Sequence, residues 1–477
     1  MFFPLDFWIR VGNFACAPSR KKRGDATTPT VSEAEALRIV GEELCSPFVP
    51  RPEAIEAHRK VVEVALSIDK KVHASDKLIA VANALFQKDH AAALRTAREQ
   101  SLLCRQPIAD LQRLLQSPEW QMPVSIDTEM EHPELARLKQ LGLVIQLRAI
   151  VLWLAQDEQG ALEQLGTAML LAHRIQDCDG LFIHELIGTT LKTRVSRIIR
   201  MGLSILKSSD SFLSELDSLL VETEPISSRH NSLFNREFRF CSIPGARLRS
   251  SPWKQSKIDS VPKQFGQSLI AQELLIEWTI RNHPNPVNRR ARLKELRRCY
   301  VEISRDLSSG WAVAATLKRL SHEYGKDIPT AYKQIFMDDK KGVSIPAAIS
   351  ASRSFHRIDD IYGRLGMYRL LDMSAKMVIA AFRCEAELSA TRICIAAERL
   401  LARGMSGPLD SLYTLVNAGF LDSIPLDPTS GQPFRFDPET QSVWVPGPIN
   451  MTFDQAYAAR RKGGNSWWWS LWGVSTP

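Results

Sequence analysis

At 477 residues the chain is long enough for about three domains of ordinary size, although helical arrays escape that arithmetic. A hydrophobic share of 44% with 24% charged residues fits a globular protein with a sizeable core and excludes wholesale disorder. The net charge of +8 is uneven: residues 229–299 hold 15 Lys/Arg against 5 Asp/Glu, which makes an anionic partner conceivable for that stretch alone.

The chain opens on an apolar, aromatic stretch, residues 1–17, interrupted by Asp6 and Arg10. Its basic run, Arg20 to Arg23, follows the apolar part instead of preceding it, so it does not read as a cleaved signal. Residues 1–31 are expected to be a tail and linker. No apolar run approaches the ~20 residues a spanning helix needs, so the expected location is cytoplasmic or peripheral to a bacterial inner membrane. Eight cysteines lie far apart with no C-x-x-C, which suits buried small hydrophobes better than a zinc site.

From Glu53 onward helical periodicity dominates, and residues 32–243 read as a helical-hairpin domain. Residues 78–103 predict two helices around a turn at Lys88-Asp89-His90. Residues 138–175 predict the same around Gln156-Asp157-Glu158. The two hairpins align at an offset of 68 residues, twice the tetratricopeptide period, with a loop between Pro118 and Pro133. Helices are expected over 181–206 and 211–221, then a basic, Pro/Ser-rich loop over 244–262. A second helical domain, 263–403, ends in one long helix or a kinked pair from Pro346 to Arg403, with Gly363 and Gly366 as weak points. Beyond it Asp427 can bond nearby backbone N–H groups, and Gly431 allows a turn that other residues resist. Phe434/Phe436 and Val443/Val445 alternate around Asp437-Pro438-Glu439-Thr440 as hairpin strands do, giving a cap over 404–447. Residues 448–477 read as a helix and a Trp-rich tail.

Motif after motif lacks a necessary member. His184-Glu185-x-x-Gly188 begins like a zinc-protease helix, but Gly188 stands where the second histidine is needed. Asp338-Asp339 and Asp359-Asp360 lack the further carboxylates that magnesium wants. Serine–lysine spacing recurs, at Ser67, Ser204 and Ser251 among others, without its companion motifs. No catalytic residue, metal ligand or cofactor is assigned. A site assembled from dispersed groups, around His173, His184 and Glu185, is the alternative.

Two surfaces remain as candidates. Arg289, Arg290, Lys294, Arg297 and Arg298 lie on one predicted helix and would suit phosphate-bearing surfaces. No nucleic-acid fold signature accompanies them, so nucleic acid is the lesser alternative. Trp467, Trp468, Trp469 and Trp472, preceded by Arg460-Arg461-Lys462, would suit a membrane interface or a protein partner, the rival being an aromatic plug that folds into this protein.

Residues 137–205 resemble a group of mostly helical proteins, without known activity, of planctomycete and verrucomicrobial bacteria; in them Leu147-Arg148-Ala149 leads into Gln156-Asp157-Glu158-Gln159-Gly160-Ala161-Leu162. The end region resembles that group too, and is similar to the tail of type II secretion pseudopilins. It runs from Pro408-Leu409-Asp410-Ser411-Leu412 through Gly419-Phe420-Leu421 to Ile424-Pro425-Leu426-Asp427-Pro428 and Gly431-Gln432-Pro433-Phe434. Gly407 stands where the group has Tyr, Val445-Pro446-Gly447-Pro448 replaces its acidic ending, and the pilin membrane helix is missing. The resemblance implies a helical body with a terminal cap, and no activity. The expectation is a mainly α protein: a tetratricopeptide-like helical-hairpin array with a long helix and a small C-terminal β-hairpin cap, acting as a scaffold for an unidentified protein partner or an anionic membrane surface.

Overall fold

A computed structural model describes residues 52–117, 133–177, 182–221, 289–306, 312–326, 361–404, 408–445 and 468–471, with residues 38 and 328. Among these the protein is mainly helical, with one small antiparallel sheet. The chain divides into two compact units. One comprises Met1–Phe48, Ser125–Glu131 and Phe234–Lys376; the other comprises Val49–Val124, His132–Leu233 and Met377–Pro477. The long helix contributes to both, so these units cross the limits expected at 243 and 263. The expected tail, the basic loop 244–262 and Asp338-Asp339 and Asp359-Asp360 lie outside the described residues.

The larger unit begins with α1 (Pro52–Leu66), α2 (Ser75–Ala84), α3 (Ala91–Leu103) and α4 (Arg105–Leu115). Next come α5 (Pro133–Leu154), α6 (Glu158–Asp177), α7 (Phe182–Leu203) and α8 (Asp210–Val221). Helix α5 is central: α1, α2, α3, α6 and α7 all pack on it. Its composition explains this, because Leu135, Leu138, Leu141, Val144, Ile145, Leu147, Ile150 and Trp153 are buried and cover more than one face. A helix apolar on most sides must be enclosed.

The turn between α5 and α6 follows from local chemistry. Gln156 takes a left-handed backbone, φ 63°, while its N–H bonds the Trp153 carbonyl and the Asp157 N–H reaches back to Leu152. This is a Schellman ending, usually made with glycine. Asp157 then caps α6 by accepting from the Gly160 N–H at 2.9 Å. Ser209 caps α8 in the same way through the Phe212 N–H, and the Glu158 carboxylate accepts from both the N–H and the hydroxyl of Ser209. Two helix starts are thereby tied together.

Glycines set the closest approaches. A Cβ on Gly188 would lie 2.7 Å from the Ala172 carbonyl oxygen, so α6 and α7 touch there. Gly202 lies against the indole of Trp153, which donates to Ser208 and packs edge-on against Phe212 at 5.2 Å.

The smaller unit contains α9 (Arg289–Asp306), α10 (Ala312–Gly325) and the start of α11 (Ile361–Ala402). Helix α9 packs on α10 through Leu296, Cys299, Tyr300 and Ile303. Helix α11 runs unbroken for 42 residues, through Gly363 and Gly366 alike. The remainder of α11 belongs to the larger unit, with α12 (Tyr413–Asn417), β1 (Arg435–Asp437), β2 (Ser442–Trp444) and β3 (Trp468–Ser470). The sheet order is β1-β2-β3, with Phe436 opposite Val443 and Val443 opposite Trp469. The expected hairpin is present, its loop one residue later than the spacing suggested, with Gln441 at φ 47°. The third strand was not expected.

No described helix is long and apolar enough to cross a membrane. Replacing Gln156 with glycine should relieve the left-handed backbone and raise the unfolding free energy by about 0.5–1 kcal/mol, read from the midpoint of urea denaturation. A loss of stability would mean that the Gln156 side chain holds a contact stronger than the backbone cost.

Candidate functional site

Buried ionisable groups of the larger unit include Glu185, Lys192 and Arg194 on α7, Glu387 on α11 and Asp427 in the cap. Along α7, Glu185, Thr189, Lys192 and Ser196 are all buried, and Arg200 continues the row. Spacings of three and four place them on one helix face.

At the lower end of this row, Arg200 meets α11. Its guanidinium bonds the Glu387 carboxylate, the Glu387 carbonyl at 3.2 Å and the Thr391 hydroxyl at 2.6 Å. Arg383 approaches the same carboxylate at 3.9 Å, and the Trp469 indole N–H donates to it. Burial alone would raise the pKa of Glu387. The charges of Arg200 and Arg383, with the hydrogen bonds from Arg200 and Trp469, outweigh burial and hold it below the usual carboxylate range. Two further pairs run parallel to this one. Arg392 bonds Asp217 of α8 at 2.8 Å, and Arg399 bonds Asp210 at 2.8 Å with Arg403 at 3.2 Å beside it.

Beyond these pairs lies the C-terminal cap. The Phe420 ring sits beneath the guanidinium groups of Arg399 and Arg403, at 5.0 and 4.6 Å. Gly419, at φ 74°, ends α12 with the same Schellman bonds seen at Gln156. Asp427 is fully buried and accepts from the Thr429 N–H and hydroxyl and from the Ser430 hydroxyl. Gly431, at φ 68°, turns the chain so that its N–H returns to the Asp427 carbonyl. The bonding expected of Asp427 and the turn expected at Gly431 are thus both present. The Gln441 amide clamps Leu409 with two bonds of 2.9 Å, closing the cap on itself.

The sheet engages part of the tail expected to contact a membrane or partner. Trp469 is 3% exposed and its ring lies 5.8 Å from Phe434; Leu471 is equally buried, and its N–H bonds the Gln441 carbonyl. For Trp469 the contact is intramolecular, because an indole that fills an apolar niche and also finds an acceptor for its N–H gains on both counts. Trp468 contributes backbone to β3; Trp467 and Trp472 lie outside the described residues. Sequence reasoning missed Glu387 entirely. Only its place on an apolar stretch of a long helix could have drawn attention to it.

At the upper end of the α7 row the Gln176 amide donates to Glu185 at 2.6 Å and to Thr189 at 3.2 Å. These bonds cross from α6 to α7 where Gly188 lets the helices meet, and a histidine at 188 would not fit that contact. His184 is buried beside Glu185 in sequence, but successive helix residues point ~100° apart and so face different neighbours. His173 instead faces Asp177, 3.9 Å away on its own helix. Of the serine–lysine serines, Ser67 donates to the Val64 carbonyl and Ser204 to that of Met201, each on its own helix backbone. Among the described residues no group of His, Cys, Asp and Glu could hold a metal ion.

The basic helix α9 is only partly free. Arg298 bonds Glu295, Glu323 and the Tyr324 hydroxyl, each at 3.0 Å, and lies over the Tyr324 ring. Lys294 is exposed and Arg297 half-buried; of Arg289 and Arg290 only the helical backbone is described. The four described cysteines, Cys104, Cys299, Cys384 and Cys394, are buried thiols outside any disulfide. Burial pushes the first two thiols up to about 11 and Cys384 to about 12.

Glu387→Gln should destabilise the protein by roughly 3 kcal/mol at pH 7, since two arginines then lose their counter-charge. A carboxylate with a depressed folded pKa contributes stability above its unfolded value, and loses it as pH falls through the folded one. The gap between the two proteins in urea denaturation should therefore narrow below about pH 4; a pH-independent gap would assign the loss to packing. No protein family, curated protein or solved structure matches this chain.

Proposed function

We propose that this chain is a non-enzymatic helical scaffold, a protein-interaction protein that works at the periphery of a membrane. The observation that supports it best is the use made of charge around α11. Glu387, Arg392 and Arg399 tie that helix to α7 and α8, and the cap rests on the same row through Phe420 and Trp469. Ionisable groups used this way build a rigid platform that presents surfaces. The expected helical-hairpin array and the likeness of the cap to pseudopilin tails belong to the same reading.

The membrane part draws on sequence: Trp467 and Trp472 flank β3, and Arg460-Arg461-Lys462 supply attraction to anionic headgroups. In co-sedimentation the intact chain should bind vesicles containing anionic lipid, with binding reduced several-fold by raised salt and by ending the chain at Gly464. Equal, salt-insensitive absence of binding by both chains would remove the membrane part.

A second reading, an enzyme with its site between α6 and α7, is favoured by the buried Glu185 held by Gln176 and Thr189. The two readings differ in what Glu185→Gln does. A structural carboxylate should cost about 1–3 kcal/mol when its charge-assisted bonds are lost. A functional one, held against its own solvation, should leave the variant as stable as the parent or more so. Thermal unfolding of the two proteins decides between them.

A further inference from the structure

The sheet is assembled in an unusual order of dependence. The β1–β2 hairpin closes itself, with Asp437 accepting from Thr440 and Gln441 clamping Leu409. Strand β3 is added at the edge from Trp468 onward, well beyond Trp444 in the sequence. It pairs with β2 alone, through three residues, and the Leu471 N–H adds one bond to Gln441. What β3 covers is apolar and shaped to it. Phe434 meets the Trp469 ring, Cys394 donates to the Ser470 carbonyl, and Glu387 accepts from the indole. If β3 left, Glu387 would keep Arg200 and Arg383, so the body beneath would retain its charge pairing. An edge strand that is short and distant in sequence, over a body that keeps its arginine pairs without it, is the element expected to open first.

We propose that the edge of β2 on which β3 lies, with the Trp469 niche between Phe434, Cys394 and Glu387, is a peptide-binding slot that the chain closes with its own C-terminal strand, and that the same strand of a second copy can take its place. The addition is strand pairing of the kind by which extended peptides join a sheet edge. The edge supplies the main-chain bonds, and the niche supplies selection for an indole whose N–H meets a carboxylate. The one segment seated there is residues 468–471, so an identical segment is the occupant of matching chemistry. A strand that can serve either its own chain or a neighbour links copies without any new interface. The inference rests on the protein-interaction reading, not on its membrane part, since the slot uses no lipid.

The test uses the full chain and a fluorescein-labelled peptide of residues 465–473, followed by anisotropy. Saturable binding is expected, at least tenfold weaker for a peptide carrying Trp469→Ala. The full chain carrying Trp469→Ala should bind the unchanged peptide about tenfold tighter than the parent, because its own strand competes less. Absence of binding to both chains would overturn the proposal, as would equal binding of the two peptides, which would mean general aromatic adhesion. Protection of Cys104, Cys299 and Cys384 from a thiol reagent shows that the variant is folded. Should it not fold, hydrogen exchange of the parent chain decides. Residues 442–445 and 468–471 should exchange through an opening that leaves α5, α6 and α7 protected; exchange only with global unfolding would sink the slot.

Discussion

The larger unit depends on one buried carboxylate. Glu387 brings together Arg200 from α7, Arg383 from its own helix and Trp469 from the sheet, so three elements far apart in sequence share one charge centre. Such a centre adds little net stability over an apolar equivalent, because removing charges from water costs nearly what their attraction returns. Its larger effect is on register. One register of α11 against α7 and α8 places Glu387 at Arg200 while bringing Arg392 to Asp217 and Arg399 to Asp210. The apolar stripe of α11, rich in alanine, leucine and isoleucine, would accept several positions. The three pairs select one.

Much of the local architecture was legible because it is written in adjacent residues. Asp157 announces a helix start, and the turn falls where it stands; Gly431 and Asp427 announce a tight loop, and both act as their chemistry suggests. The contacts that were not legible join residues far apart in the chain. Periodicity cannot say that Glu387 will find Arg200, or that an aromatic run will pair with β2. Trp469 suggested an interface to membrane because an isolated indole cluster is apolar and half-polar at once. The same property suits a niche with an acceptor at its base, and the sequence holds no means of choosing between them. Gly363 and Gly366 are weak points of the pattern; each costs a helix about 1 kcal/mol, which a helix of 42 residues absorbs.

Helix α7 shows how polar side chains survive inside. Arg194 crosses to α2 and bonds the Ile79 carbonyl and Asn83; burial pulls its pKa down to about 10, which still leaves it charged at neutral pH. Gln146 donates to the Leu191 carbonyl at 3.1 Å. Side chains that bond the backbone of a neighbouring helix fix its rotation as well as its distance, a constraint that leucine and valine do not supply. For the Gln146 bond the close approach is at Gly142, where an added Cβ would lie 2.8 Å from the Leu191 side chain.

The boundary between the two compact units falls inside α11, between Lys376 and Met377. A helix shares its hydrogen bonds across every turn, so severing it there would strip four amides and four carbonyls of their partners. Cutting the chain at that point would therefore fray both new ends. Any dissection of the chain has to leave this helix whole.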